Sequence, residues 1–184
     1  MVVRAAFLDR DGVINANVLR DGKPVAPTCV DELRVLPGVV EAMAKLKAAQ
    51  YMIIVVTNQP DLSTGRITAA NLNAIHAELR RRLPFDGIEV CPHTAAAACA
   101  CRKPRPGMLI AAAAKHGICL AQSFMVGDRM SDIEAGISAG CFLTALISDD
   151  YQNCLSGIPD IIAKSLLEAV NSILTSKWLS GAAR

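Results

Sequence analysis

Aromatic side chains are scarce: the 184 residues hold four Phe, two Tyr and one Trp. Charge of one sign is lacking too, with 19 Lys and Arg against 17 Asp and Glu for a net charge of +2. Proteins that hold single-stranded nucleic acid stack bases on aromatic platforms inside a basic groove, so no nucleic-acid partner is expected. Long apolar runs are missing as well. The opening MVVRAAFLDRD meets charge after a handful of apolar residues, too early for the apolar region of a secretory leader. The tail, expected as one helix around Ile161–Leu179, is interrupted by Lys164, Glu168 and Asn171, so no membrane partner is expected. The expected compartment is the cytoplasm and the expected state a monomer. Repeats, linkers and low-complexity tracts are absent apart from alanine runs, and the length suits a single domain over residues 1–184.

What is present is a packed core: 52% of the residues are apolar. Apolar runs of strand length alternate with stretches of helical period. Val2–Leu8, Tyr51–Val56, Ile88–Val90, Ser123–Val126 and Phe142–Ile147 read as strands, and Leu33–Leu36 as a further short one. Helices are expected from Pro37 to Ala49, from a cap at Thr68 to about Leu83, from Pro106 to His116, and over Ser131–Ala139. Asp21-Gly22 signals a hairpin turn. Alternating strands and helices predict an α/β fold with a mainly parallel sheet covered on both faces.

Seven cysteines in a reducing compartment are free thiols or metal ligands. Cys29, Cys119, Cys141 and Cys154 stand apart and read as small buried apolar residues. Cys91, His93, Cys99 and Cys101 cluster in a loop rich in proline and charge, where burial is poor. Three thiolates and an imidazole are a closed tetrahedral set for Zn²⁺, leaving no open position for catalysis. The cluster directly precedes Arg102-Lys103, which it would stiffen and present.

In parallel sheets, ligands bind beyond the carboxyl ends of the strands. The first expected strand ends in Asp9-Arg10-Asp11-Gly12, the next long one in Thr57-Asn58, and a later one in Gly127-Asp128-Arg129, with Arg102-Lys103-Pro104 between. Such a set suits phosphoryl transfer. Carboxylates hold Mg²⁺, a lysine offsets phosphoryl charge, one acid attacks, and another two residues on carries protons. A calcium-loop reading of residues 9–20 fails, because glycine falls at loop position four and arginine at twelve.

These four segments together resemble the motifs of the haloacid dehalogenase superfamily: DRDGVI, Thr57-Asn58-Gln59, Lys103 and GDRMSD. The resemblance implies a Rossmann-like fold of the haloacid dehalogenase type, without a cap domain and with a zinc-binding loop. It implies Asp9 as nucleophile, Asp11 as general acid and then base, and Thr57 and Lys103 as stabilisers of the transferring phosphoryl group. Mg²⁺ would lie between Asp9, the backbone carbonyl of Asp11, and Asp128, with Asp132 in support. Substrate-binding residues would be Asn58, Gln59, Arg102 and Arg129. With the zinc loop, CRKPRPGM and FLDRDGVIN narrow the resemblance to the heptose-1,7-bisphosphate 7-phosphatases and the related histidinol-phosphate phosphatases. The implied partner is a small phosphorylated sugar. Two stretches depart from the heptose enzymes: Pro60–Gly65 after the TNQ segment, and Asn15–Arg20, which lacks a glycine-tyrosine pair.

Overall fold

A computed structural model describes residues 2–148 and 158–175. Among the described residues, six strands form one parallel sheet: β1 (Arg4–Leu8), β4 (Tyr51–Asn58), β5 (Gly87–Cys91), β6 (Phe124–Gly127), β7 (Leu143–Ile147) and β8 (Ile161–Ala163), in the order β5-β4-β1-β6-β7-β8. The chain winds outward from β1 through β4 to β5, then returns to place β6 on the other flank of β1. That reversal opens a crevice at the carboxyl end of β1, where such sheets take ligands. The remaining two strands, β2 (Val18–Arg20) and β3 (Lys23–Val25), form an antiparallel hairpin that turns at Asp21-Gly22, as expected.

Alternate residues of the inner strands feed two cores. Ala6 and Leu8 of β1 pack with Ile53 and Val55 of β4 beneath α1 (Val39–Ala48), α2 (Ala69–Arg82) and α5 (Leu166–Thr175). Ala5 and Phe7 pack with Ile54, Val56 and Met125 on the opposite face, beneath α3 (Gly107–His116) and α4 (Met130–Ala139). Burial on both faces explains why these strands read as unbroken apolar runs. Thr68 caps α2 by accepting from the Asn71 amide at 3.1 Å, and Gly117 closes α3 in the left-handed conformation.

Three expectations change. Residues 33–36 form no strand; a 3-10 turn over Val30–Glu32 precedes them and Val35 makes a single bridge to Asn15. Pro37 follows at once and cannot donate to a ladder. The tail is not one helix from residue 161. Ile161–Ala163 add an edge strand to β7, and α5 starts at Leu166. Its start is a reciprocal cap: the Lys164 amide donates to Glu168 and the Glu168 amide to Ser165, at 2.9 and 3.2 Å. Positions 176–179 of the expected helix lie outside the described residues. Finally, Cys29, Cys119 and Cys141 are half-buried rather than buried, and Cys154 lies outside the described residues.

Candidate active site

The crevice is built from strand ends. The Asp9 amide, one residue past β1, donates to Val126 O of β6 at 2.9 Å, which fixes its backbone against the neighbouring strand. Gly12 completes the turn with φ +86°, and a Cβ there would come within 2.2 Å of Asp128 Oδ2. Only glycine allows the two loops to close this tightly. Gly127, at the end of β6, meets the same constraint, since its Cβ would collide with Asp132 at 2.1 Å.

Three carboxylates meet there. Oxygens of Asp9, Asp128 and Asp132 all lie within 4.8 Å of one another. Lys103, 3% exposed, reaches into the cluster and donates to Asp9 Oδ1 at 2.8 Å, Asp132 Oδ1 at 2.6 Å and Val56 O at 2.8 Å. These partners occupy all three donors of its ammonium. Burial alone would lower the Lys103 pKa, but Asp9 and Asp132 outweigh it and hold the lysine charged. Burial pushes Asp9 up to about 7 against the pull of Lys103, with Asp132 and Asp11 adding to the rise. Asp128 is pushed up to about 6, by burial first and then by Asp132. One buried cation among three acids leaves negative charge in excess.

Asn58 clamps this lysine from behind. Its side chain donates to Lys103 O at 3.1 Å and accepts from the Lys103 amide at 3.2 Å. Gln59, 1% exposed, donates to Asp11 Oδ2 and to Thr57 Oγ1, both at 2.8 Å. Both amides make contacts within the protein and also line the cleft, where the sequence expects them to meet substrate. Thr57 is reached through Gln59, while Asp9, Asp11, Arg102, Lys103 and Arg129 line one cleft of about 460 Å³. Arg102 donates to His93 O at 3.0 Å, which ties it to the cysteine loop, whereas the Arg129 side chain is 64% exposed.

Four residues of this neighbourhood are not singled out by the sequence. Asn17, ahead of the β2–β3 hairpin, and Arg66, after the Pro60–Gly65 segment, line the cleft. Arg10 is wholly buried, grips Asp11, and meets His76 of α2. A charged residue two positions past an apolar strand, and a histidine among Leu72, Ile75 and Leu79 on a helix's apolar stripe, are the available signals.

Cys91, His93, Cys99 and Cys101 converge at the end of β5. Their Sγ–Sγ separations are 3.1 to 3.6 Å, and His93 Nδ1 stands 3.4 and 3.7 Å from Cys101 and Cys91. Ligands about 2.0–2.3 Å from a tetrahedral zinc lie roughly 3.3–3.8 Å apart, so the donors fit that ion by type and, but for the shorter Cys91–Cys101 pair, by spacing. Ser63 Oγ donates to Pro92 O at 2.5 Å and links this loop to the Pro60–Gly65 segment.

The acid cluster fits a different metal. All its donors are hard oxygens, and Asp128 Oδ1 is buried without a hydrogen-bond partner; Arg129 Nε stands 3.9 Å from it. An orphaned carboxylate oxygen beside two other acids suits Mg²⁺.

A family model described as haloacid dehalogenase-like hydrolase matches residues 11–140. A D-glycero-beta-D-manno-heptose-1,7-bisphosphate 7-phosphatase of Bordetella bronchiseptica is 39% identical over 144 residues, covering 76% of this chain and 78% of that protein. One of the same name from Escherichia coli is 33% identical over 187 residues, covering 88% and 95%. A crystal structure of D,D-heptose 1,7-bisphosphate phosphatase from B. bronchiseptica, complexed with magnesium and phosphate, superposes with TM-score 0.79 at 32% identity, covering 94% of this chain and 98% of that one.

Proposed function

The chain belongs to the haloacid dehalogenase-like hydrolases, and from that premise we propose that it removes the 7-phosphate of D-glycero-D-manno-heptose 1,7-bisphosphate through an aspartyl-phosphate. The observation that carries this reading is the buried Lys103–Asp9–Asp132 cluster at the floor of a cleft that Arg66, Arg102 and Arg129 also line. The names of its relatives support the substrate.

In this reading, Asp9 attacks phosphorus and the bond from phosphorus to the sugar oxygen breaks. Asp11 gives its proton to that leaving oxygen. Asp11 then takes a proton from water, whose oxygen displaces Asp9 from phosphorus and releases phosphate. Lys103 neutralises charge on the phosphoryl oxygens as it builds. Asp9, Asp128 and the Asp11 backbone carbonyl would hold Mg²⁺, with Asp132 in support, and that ion supplies further positive charge when bound. Asn58 and Gln59 contact the substrate from the cleft wall while they hold Lys103 and Asp11 in place. Arg102 and Arg129 bind the distal phosphate, which a monophosphate lacks. Cys91, His93, Cys99 and Cys101 would hold Zn²⁺, which would stiffen the segment that carries Arg102 and Lys103. All of this takes place in a single phosphatase domain.

The test is turnover of the two heptose 1,7-bisphosphate anomers beside histidinol phosphate and simple sugar phosphates, with Mg²⁺ and with EDTA. The reading expects one bisphosphate anomer to be the best substrate and EDTA to abolish turnover. A preference for histidinol phosphate would move the chain to that related group.

A further inference from the structure

Asp11 is held by three other residues, two in its own turn and one from the end of β4. Arg10 Nη2 donates to Asp11 Oδ1 and Oδ2 at 2.9 and 3.0 Å, and Arg10 Nε donates to Oδ1 at 3.1 Å. Asn15 Nδ2 adds a bond to Oδ1 at 2.9 Å, and Gln59 Nε2 one to Oδ2 at 2.8 Å. The strongest of these donors is itself anchored. Arg10 is fully buried, and its other terminal nitrogen, Nη1, lies 3.0 Å from His76 Nε2, across 66 positions of sequence.

A guanidinium carries only donors, so the ring nitrogen facing it must accept. His76 therefore stands neutral with its proton on Nδ1. Its surroundings agree: burial first, then the charges of Arg10 and Arg80, lower its pKa to about 4, against an opposing contribution from Asp11. His76 is 8% exposed and sits on the buried stripe of α2. A leucine would fill that place as well for packing. An imidazole there meets a need that packing does not have, namely an acceptor for a buried cation.

We propose that His76 is a positioning residue for proton transfer: it fixes the Arg10 guanidinium, and Arg10 in turn fixes the carboxylate of Asp11 toward the cleft. The inference rests on the phosphatase reading, in which Asp11 moves the proton in both half-reactions. Without the imidazole, the planar fork of Arg10 is held from one side only. It can swing with Asp11, and the proton donor drifts from the leaving oxygen. Proton transfer is steeply sensitive to such displacement, whereas substrate binding is not.

The experiment compares wild type, His76→Leu, His76→Gln and Arg10→Lys on p-nitrophenyl phosphate and on heptose 1,7-bisphosphate, with Mg²⁺ present. His76→Leu should lower kcat about tenfold or more with KM within about twofold, and fluoroberyllate should still bind at Asp9. His76→Gln, whose carbonyl can take the place of Nε2 as acceptor, should recover most of the loss. Arg10→Lys, a point charge that cannot bridge both partners, should match His76→Leu and keeps the test alive if the leucine variant folds poorly. Combining the two should cost no more than either alone. Unchanged kcat in both His76→Leu and Arg10→Lys overturns the proposal, as does a glutamine variant no better than leucine. Wild type active on the aryl phosphate but not on the bisphosphate overturns the substrate reading alone and leaves this comparison intact.

Discussion

At the scale of single residues, charge balance sets the chemistry. Lys103 bonds to both Asp9 and Asp132, so removing it leaves a phosphoryl group facing carboxylates on the cleft floor. Lys103→Ala should lower turnover about a hundred- to a thousandfold, as loss of one charge partner in the transition state does. Steady-state kinetics at saturating Mg²⁺ measures this, and a loss under tenfold would remove the lysine from the mechanism. Asp9→Asn should abolish turnover with zinc content intact, and Asp11→Asn should cost nearly as much. Arg102 distinguishes near from remote binding. Arg102→Ala should reduce kcat/KM far more on a bisphosphate than on a heptose monophosphate, because the monophosphate never made the deleted contact. Equal losses on both would mean that the arginine serves the reacting phosphate, or acts through the His93 carbonyl that it already touches. The Arg10–His76 pair shows why some of the site stayed hidden in sequence. A lone histidine on an apolar helix face reads as core until its partner, far away in the chain, is known.

At the scale of elements, the segment between β5 and α3 is the critical one. It contains a 3-10 turn at Ala95–Ala97 and little apolar burial of its own, yet it must hold Lys103 within hydrogen-bond distance of Asp9. The Asn58 clamp on the Lys103 backbone and the Ser63–Pro92 bond hold it, and four candidate metal donors would add to them. Cys99→Ala should therefore lower Tm and kcat together, and elemental analysis should fall from about one zinc per chain toward none. Full activity in a zinc-free protein would refute the structural role of the ion. Element boundaries follow the same division between local and distant causes. Thr68, Gly117 and Asp21-Gly22 were legible because caps and turns are local chemistry. The Ser165–Glu168 cap was equally local and marks where α5 starts. Ile161–Ala163 could not be assigned that way. A three-residue strand exists only because β7 offers it an open edge.

At the scale of the molecule, the sheet order gathers more negative charge than the buried lysine neutralises, so stability should depend on pH and on metal. Asp128 and Asp9 rise to about 6 and about 7 from the ordinary carboxylate value of 3.8, so the metal-free fold favours their protonated forms. The stability supplied by those protons is fully present below about pH 4 and is lost as pH rises through 6 and 7. Mg²⁺ held by these acids would take the place of the protons. Its stabilisation should be small at pH 5 and larger at pH 7.5, where Tm should rise by about 3 °C or more at millimolar Mg²⁺. Asp128→Asn should raise the metal-free Tm at pH 7.5 and erase most of the Mg²⁺ response. Thermal melts of the four combinations check this, and an equal Mg²⁺ response at both pH values would contradict it. The sequence by itself determined the alternation of strands and helices, the acids and glycine at strand ends, and the four sulfur and nitrogen donors. Each of these is written in residue type and short-range spacing, which periodicity and turn chemistry make readable. Only the tertiary structure decided that β6 lies beside β1, that Lys103 reaches Asp9 and Asp132, that Asn58 and Gln59 bond Lys103 and Asp11, and that His76 meets Arg10. Those contacts join residues far apart in the chain, and no local preference encodes a partner that folding alone brings near.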